Sequence, residues 1–260
     1  MNRALLVGIN AYPGCPLRGC VPDVQNMAAW LTSFGGFTPG DIRMLVDARA
    51  TTEAIVDHLL WLVQDVNPGD RVMFHYSGHG AQFAGRNAAG EVDGIDDVIC
   101  PVDFDWSEER MIADYQFVQI FGQMPTGVRF NWLSDSCHSG HLAREIPRHR
   151  ETAKTFPAPV DMQWRLLTAA HKGMRTRGVV GGLLEVGFVA GCRSDQTSSD
   201  TIIDGQPQGA LTGYFLRQLR ATPHASLDAL VAATGHSLAD DGYSQEPVAD
   251  GSRANMAFLG

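Results

Sequence analysis

This sequence contains no apolar run of the length that a membrane span requires, which is about 18–20 residues. The apolar run at residues 4–9 is also too short for the core of a signal peptide, and it predicts a strand. We therefore expect neither a membrane-spanning nor a secreted protein. Hydrophobic residues make up 44% of the chain and charged residues 19%, which is typical of a globular protein with a substantial core.

Cysteines and basic residues are both scarce. The five cysteines are odd in number and have no spacing typical of a zinc site, which favours a reducing, cytoplasmic setting. Acidic residues outnumber basic ones by 29 to 20, so the formal net charge is −9. This balance disfavours nucleic acid as a partner and is compatible with a cationic substrate, although solubility alone would explain it equally well.

Two catalytic motifs are also missing. The chain has no Gly-x-Ser-x-Gly elbow, since Ser136 lacks a glycine two residues before it, and this disfavours a serine hydrolase. His75 and His79 lie on a strand-to-loop turn without the helical glutamate of the zinc peptidases. Metal-dependent hydrolysis is therefore disfavoured as well.

Apolar periodicity predicts an alternation of strands and helices along most of the chain. Strands are expected at 3–10, 42–46, 71–75, 98–100, 128–133 and 183–190. Helices are expected at 22–34, 52–66, 112–124, 210–219 and 226–238, the last with Ser226 as its cap. Polar or basic connecting segments are expected at 84–96, 144–159 and 172–182. This βαβ rhythm predicts an α/β fold with a mostly parallel central sheet flanked by helices.

Two short motifs follow apolar, β-rich runs: residues 75–80, HYSGHG, and residues 135–140, DSCHSG. If both runs are neighbouring parallel strands, both motifs lie at the carboxyl edge of the sheet, where open α/β folds place their chemistry. His79 and Cys137 would then supply an acid/base group and a thiolate nucleophile, the minimum for acyl transfer. The backbone N–H groups of Gly80 and Cys137 are candidates for the oxyanion hole.

Each of these residues also has a structural interpretation. Cys137 alone is more often a buried structural cysteine, and His79 alone is more often a hydrogen-bonded turn histidine. Two such residues at two strand ends, each with a nearby glycine, favour the functional interpretation. Three other histidines compete with His79 for the role of base: His75, His138 and His141.

The two motifs resemble those of the metacaspases, the caspase-like cysteine peptidases of clan CD. Further segments that resemble this family are LRGCVPDV at 17–24, DGIDDVI at 93–99, GCRSDQTS at 191–198 and GALT at 209–212. The resemblance implies a caspase-like three-layer α/β sandwich with His79 and Cys137 as the catalytic dyad. It implies a single peptidase domain over 1–260, divided into a large-subunit region (about 1–143), a basic linker (144–182) and a small-subunit region (183–260).

The resemblance also maps the primary substrate pocket onto four residues: Cys20, Asp23, Ser77 and Asp135. Asp135 stands two residues before the nucleophile, where caspases carry a glutamine. Two carboxylates in one cleft favour a cationic side chain, which predicts cleavage after Arg or Lys and not after Asp. Alternatively, Asp23 only complements the N-terminal dipole of its helix and Asp135 only orders its loop.

Basic residues near the junction of the two subunit regions are candidate processing sites for such a peptidase: Arg144, Arg148, Arg150, Lys154, Lys172, Arg175 and Arg177. We hypothesise that cleavage there activates or remodels the enzyme, either by the enzyme itself or by a separate activating protease. The alternative is that these residues are solvated linker charges. A recruitment protein is a further candidate partner, and the resemblance favours a monomer.

Calcium, which many metacaspases require, fits this chain poorly. The candidate ligands are Asp93, Asp96, Asp97 and Asp114. Ala113 stands where the family usually has a second aspartate, and Arg144 stands where calcium-dependent members tend to have another. We therefore predict weak or absent calcium dependence and no other cofactor. The competing hypothesis for function is a catalytically silent caspase-like binding module, which the presence of both His79 and Cys137 disfavours.

Overall fold

The computed structural model describes residues 1–85, 94–137, 151–171, 185–193 and 196–260. In chain order the helices and strands of these ranges are β1 Asn2–Gly8, α1 Cys20–Ser33, β2 Ile42–Val46, α2 Thr52–Val63, β3 Arg71–Ser77, β4 Gly80–Phe83, β5 Asp96–Ile99, β6 Ile112–Ala113, α3 Asp114–Phe121, β7 Arg129–Asp135, β8 Thr152–Ala153, α4 Val160–His171, β9 Val186–Ala190, β10 Ser199–Ile203, β11 Gln206–Gly209, α5 Ala210–Ala221, α6 Leu227–Asp240 and β12 Val248–Asp250.

A six-stranded sheet with the order β12-β9-β7-β3-β1-β2 forms the centre of the molecule. Its strands pair in parallel except β12, which runs antiparallel to β9 at one edge. Two three-stranded sheets, β11-β10-β8 and β4-β5-β6, lie beside it. The predicted α/β fold with a mostly parallel sheet is confirmed.

Helices cover both faces of this sheet, because side chains alternate between the two faces along each strand. Leu5 and Val7 of β1 belong to an apolar cluster with α2 and α3, whereas Ala4 and Leu6 belong to a second cluster with α1, α5 and α6. The strands are apolar on both faces for this reason. None of the helices in the described ranges combines the length and the apolar character that crossing a bilayer would need.

Most predicted elements are present, with shifted ends. The strand at 42–46 has the predicted bounds, whereas the helix expected at 112–124 spans Asp114–Phe121. Ile112 and Ala113 pair with β5 instead. The side chain of Gln116 accepts the N–H of Ala113 at 2.8 Å, so the helix begins at Asp114, two residues later than predicted.

The prediction of an exposed linker at 144–159 is wrong for part of the described segment, although Thr152, Pro157 and Pro159 are exposed. Residues 152–153 form β8, which pairs with β10, and Lys154 is fully buried. Helix α4 and the β10-β11 hairpin were not predicted. The other six candidate processing residues lie outside the described ranges, at 144, 148, 150, 172, 175 and 177. The proposed region boundaries near 143 and 183 also lie there, so that division of the domain stays a prediction.

Candidate active site

The two motifs follow neighbouring parallel strands, as the sequence predicts. Strand β3 ends at Ser77 and β7 ends at Asp135, and these two residues are register partners. The backbone N–H of Gly78 donates to the Asp135 carbonyl at 3.4 Å, and this bond links the segments that follow β3 and β7. His79 and Cys137 each follow two residues after their strand, so both are held at the same carboxyl edge of the sheet.

His79 is buried and is oriented by a backbone carbonyl. Its Nε2 lies 2.8 Å from the carbonyl oxygen of Cys15, and because a carbonyl can only accept, Nε2 carries the proton. Nδ1 has no hydrogen-bond partner among the described residues. Burial lowers the pKa of His79 to about 4, the Cys15 carbonyl opposes this, and the Lys154 ammonium lowers it further. The ring is therefore neutral near pH 7, with an unprotonated Nδ1 that can act as a base.

The backbone N–H groups of Gly80 and Cys137 converge on one oxygen atom. Both donate to the carbonyl of Lys154, at 3.0 Å from Gly80 and 3.2 Å from Cys137. Two backbone donors on a single carbonyl oxygen have the arrangement of an oxyanion hole. The buried thiol of Cys137 donates to the Gln196 carbonyl at 3.0 Å.

Asp23 and Asp135 lie in one buried pocket, held by hydrogen bonds from several elements. Asp23 accepts from the Ser77 hydroxyl at 2.7 Å and from the Gly209 N–H at 2.9 and 3.0 Å. Asp135 accepts from the Ser198 hydroxyl at 3.2 Å, and from the Thr212 N–H and hydroxyl at 2.9 and 2.8 Å. These bonds fix both carboxylates at the pocket wall.

The ammonium of Lys154 occupies this pocket. Its Nζ lies 3.1 Å from Asp135 Oδ1, 3.3 Å from Asp23 Oδ2 and 2.9 Å from the Ser77 hydroxyl. Burial alone would lower the pKa of Lys154, but Asp135, Cys20 and Asp23 outweigh it and raise the pKa above its ordinary value. The lysine is therefore charged in the folded protein.

One ammonium shared by two carboxylates leaves an excess of negative charge in the pocket. Burial raises the pKa of Asp23 to about 7, Lys154 opposes this, and the nearby Asp135 adds to it. Burial also raises the pKa of the Cys20 thiol, so Cys20 lines the pocket as an uncharged side chain. The four residues assigned to the pocket by resemblance therefore lie in one buried cluster around a cation.

Several residues of this site were not predicted from the sequence. Cys15 contributes only its carbonyl, which residue letters cannot reveal. Ser198, Gly209 and Thr212 lie in segments that resemble the metacaspases, but the resemblance gave them no role. Lys154 was predicted to be exposed, and its burial is a correction: it is an ion-pair partner of Asp23 and Asp135.

His75 is placed behind the pocket. Its ring Nε2 lies 3.2 Å from the Thr212 hydroxyl, which itself donates to Asp135. Burial lowers the pKa of His75 to about 3, so it is neutral. The other two competing histidines, at 138 and 141, lie outside the described residues.

The aspartates considered for calcium do not form a cation site in the described part of the chain. Asp96 and Asp97 lie on β5, and Asp97 accepts from the Gln82 amide at 3.3 Å. Asp114 starts α3 and accepts the N–H of Tyr115 at 2.7 Å. No group of three metal-binding side chains occurs among the described residues. The fourth candidate ligand, at position 93, lies outside the described residues. Weak or absent calcium dependence therefore stays a prediction.

Comparisons with known proteins agree with this fold. Residues 2–145 match the family described as "metacaspase, peptidase C14 domain". Metacaspase-1 of Candida glabrata is 32% identical over 99% of this chain and 75% of its own length. Metacaspase-1 of Scheffersomyces stipitis is 32% identical over 95% of this chain and 69% of its own length.

A crystal structure of a protein from Geobacter sulfurreducens has the same fold, with a TM-score of 0.71 and 23% identity over 99% of this chain and 98% of that one. The sheet, its helices and the family match together define the class of caspase-like cysteine peptidases. Within that class, the chain belongs to the metacaspase family.

Proposed function

We propose that this cysteine peptidase is an endopeptidase that cleaves after Arg or Lys through Cys137 and His79. The observation that carries the proposal is the placement of Lys154. Its ammonium lies between Asp23 and Asp135 while its carbonyl oxygen accepts from Gly80 and Cys137. A substrate residue bound in the same way would present its own carbonyl to the nucleophile.

In this mechanism His79 Nδ1 takes the proton of the Cys137 thiol, and the thiolate attacks the substrate carbonyl carbon. The backbone N–H groups of Gly80 and Cys137 stabilise the oxyanion, where each donor is worth about 3–4 kcal/mol. His79 then protonates the leaving amine, and water hydrolyses the thioester. The Cys15 carbonyl keeps the other ring nitrogen protonated throughout, which positions His79.

The pocket accounts for the proposed specificity. Asp23 and Asp135 together give a cation up to two charged partners, and a guanidinium can bind such oxygens with paired N–H groups. An aspartyl side chain would meet two carboxylates and no cation except the displaced Lys154. We therefore expect turnover of Arg and Lys substrates and none of Asp substrates.

Matched fluorogenic peptides ending in Arg, Lys or Asp test this proposal, with and without millimolar calcium. We expect turnover of the Arg and Lys peptides alone, and a loss of about a thousandfold or more in Cys137→Ala. Cys192→Ala is the matched control, because the Cys192 thiol also contacts the Gln196 carbonyl, at 3.3 Å, and should keep its activity.

Three results of this assay would contradict the proposal. Equal turnover of the Asp peptide would exclude the acidic pocket as the source of specificity. Activity that survives in Cys137→Ala would exclude the thiol as nucleophile. A folded protein that hydrolyses none of the peptides, even after limited trypsin nicking, would favour the silent binding module. A large stimulation by calcium would overturn the expectation of weak calcium dependence.

We further propose that processing in the basic region 144–182 activates the enzyme, which acts on protein or peptide substrates as a monomer in the cytoplasm. A separate protease that makes this cut, or a protein that recruits the enzyme, remains a candidate partner. The family supports peptide bonds as substrates. The five cysteines, all within the described residues, form no disulfide, which supports a reducing setting.

A further inference from the structure

Two thiols lie against one carbonyl oxygen at the carboxyl edge of the central sheet. The Cys137 thiol donates to the carbonyl of Gln196 at 3.0 Å, and the Cys192 thiol donates to the same oxygen at 3.3 Å. Because both sulfurs are within hydrogen-bond distance of a single atom, they lie within about 6 Å of each other. The proposed nucleophile therefore has a second thiol beside it, which the proposed peptidase mechanism does not use.

The fold brings the two cysteines together. Cys137 follows β7 and Cys192 follows β9, and these neighbouring parallel strands have Ser134 and Ala190 as their last register pair. Neighbouring strands lie about 4.8 Å apart, which is within the Cα separation of about 4.4–6.8 Å that a disulfide requires. The segment after β9 stays against β7, since a Cβ on Gly191 would lie 3.5 Å from the Ser134 carbonyl oxygen.

The carbonyl that accepts from both thiols belongs to a residue that is held on several sides. The side-chain amide of Gln196 donates to the Ser244 carbonyl at 2.8 Å, and its amide oxygen accepts the N–H of Glu246 at 2.9 Å. Its backbone N–H donates to the Arg193 carbonyl at 3.0 Å. A carbonyl oxygen has two lone pairs, so one fixed atom can accept both S–H groups and keep the two sulfurs as neighbours.

Burial sets the other three cysteines apart from this pair. It raises the pKa of the thiols of Cys15, Cys20 and Cys100, which keeps each of them protonated and unreactive near neutral pH. Cys192, in contrast, is partly exposed, and Cys137 is the proposed nucleophile. A cysteine that forms a thiolate, with a second accessible thiol beside it, is the arrangement of a redox-sensitive pair.

We propose that Cys137 and Cys192 form a peroxide-sensitive dithiol, in which hydrogen peroxide oxidises Cys137 and Cys192 then closes a disulfide that blocks the nucleophile reversibly. This inference rests on the proposed peptidase function, because it takes Cys137 as the thiol that His79 deprotonates. It goes beyond that function by assigning Cys192 as a resolving cysteine and by adding an oxidant as a second reactant at the site.

The first step is a two-electron oxidation of Cys137. His79 takes the thiol proton, and the thiolate sulfur attacks one oxygen of hydrogen peroxide. The O–O bond breaks, and the departing hydroxide takes the proton from His79, which leaves a sulfenic acid on Cys137 and one molecule of water. Because hydrogen peroxide is far smaller than a peptide, a site that admits a peptide also admits this oxidant.

The second step joins the two sulfurs. The Cys192 sulfur attacks the Cys137 sulfur, the S–S bond forms as the S–O bond breaks, and the leaving hydroxide combines with the Cys192 proton as water. Two thiols and one hydrogen peroxide thus give one disulfide and two waters. A dithiol reductant reverses the bond by exchange, whereas a sulfenic acid that is not resolved is oxidised irreversibly by further peroxide. Cys192 therefore protects the nucleophile from permanent loss.

A purely structural role for Cys192 makes a different prediction. A thiol is a weak hydrogen-bond donor, so a serine hydroxyl would serve at least as well toward the Gln196 carbonyl. If the contact with that carbonyl were the whole role, Cys192→Ser would respond to peroxide as the wild type does. The resolving role requires the sulfur itself, so Cys192→Ser is the variant that separates the two.

Peptidase assays after oxidation test the proposal. The full-length wild type, Cys192→Ser and Cys15→Ser are treated with hydrogen peroxide, the peroxide is removed with catalase, and hydrolysis of an Arg peptide is measured before and after dithiothreitol. Cys15→Ser is the matched control, because Cys15 is also a partly exposed free cysteine, and each protein is compared with its own untreated activity.

We expect the wild type and Cys15→Ser to lose activity by about tenfold or more and to regain most of it with dithiothreitol. Cys192→Ser should lose activity as well but regain about fivefold less, because its unresolved sulfenic acid is oxidised further. Equal recovery of the wild type and Cys192→Ser would overturn the inference.

Peptide mapping under non-reducing conditions identifies the bond and does not depend on peptidase activity. We expect a linked pair of peptides that carry Cys137 and Cys192 in the oxidised wild type, and no such pair in Cys192→Ser. An enzyme that hydrolyses Arg peptides but forms no disulfide, or joins Cys137 to another cysteine, would overturn the inference and keep the proposed function. A protein that forms the expected disulfide but hydrolyses no peptide before oxidation would support the dithiol and overturn the proposed function.

Discussion

Gly209 has no side chain, and the space that a side chain would need is filled by the charged atoms of the pocket. A Cβ at this position would lie 2.2 Å from Lys154 Nζ, 2.3 Å from Asp135 Oδ2 and 2.5 Å from Asp23 Oδ2. The same residue donates its N–H to both oxygens of Asp23. Glycine therefore lets the backbone close against the pocket while still donating to its carboxylate.

Gly209→Ala should displace whatever cation occupies the pocket. We expect kcat/KM for Arg and Lys peptides to fall by about thirtyfold, because the bound cation loses contact with at least one carboxylate. Gly40→Ala is the control, since its Cβ would approach nothing nearer than the Thr38 hydroxyl at 3.7 Å. A folded Gly209→Ala protein with unchanged peptidase kinetics would contradict this account of the pocket.

At the scale of elements, the β10-β11 hairpin holds the start of α1, and α1 carries Asp23. The Asp200 carboxylate of β10 accepts the N–H of Arg18 at 2.8 Å and that of Gly19 at 2.6 Å. These two N–H groups directly precede α1 and have no partner within it, so the buried carboxylate satisfies them and fixes the entry of the chain into the helix. The hairpin therefore connects the segment that leads into α1 to the pocket, although about 180 residues separate the two in the chain.

Asp200→Asn should lower the free energy of unfolding by about 1–3 kcal/mol, because an amide has one oxygen, so one of the two N–H groups loses its acceptor and faces an NH2 donor instead. Asp204→Asn in the turn of the same hairpin is the matched control. Its carboxylate pairs with Arg217 at the surface, where such a pair is worth about 0–1 kcal/mol. Urea unfolding of both variants measures the difference, and equal losses would refute the role given to Asp200.

Elements with strong apolar periodicity could be predicted, and two elements with other signals were missed. The β10-β11 hairpin is largely polar, but its turn, Asp204-Gly205, has positive φ at both residues, and this dipeptide is a known hairpin signal. Helix α4 buries Met162, Leu166 and Ala169 at helical spacing. That pattern was obscured by the prolines before it and the basic, glycine-rich stretch after it.

At the scale of the whole molecule, the sheet edge could be predicted and the occupant of the pocket could not. The alternation of strands and helices brings His79 and Cys137 to one edge. Lys154 lies 131 residues from Asp23 in the chain, and its burial depends on how β8 meets β10. Lysine is almost never fully buried unless paired, so no local pattern could have indicated it.

The buried histidines also make a contribution of definite sign to the pH dependence of the whole protein's stability. Burial lowers the pKa of His75 to about 3 and that of His79 to about 4, whereas an unfolded histidine binds its proton near pH 6.5. Below pH 6.5 the unfolded chain therefore binds more protons, and stability falls as the pH falls. Asp23 acts in the opposite sense, because burial raises its pKa to about 7 and the folded protein takes up that proton first.

His75→Gln isolates one of these groups without touching the proposed dyad. Between pH 7 and pH 5 the wild-type His75 should cost about 2 kcal/mol of unfolding free energy, since the unfolded imidazole gains a proton that the folded one does not. The variant should lose correspondingly less stability over this interval, as measured by urea unfolding at both pH values. His224→Gln changes a histidine that is exposed in the folded protein and should behave as the wild type does. If His75→Gln and wild type lose equal stability on acidification, His75 takes up its proton as readily in the folded protein as in the unfolded chain, which would contradict the lowered pKa of this buried histidine.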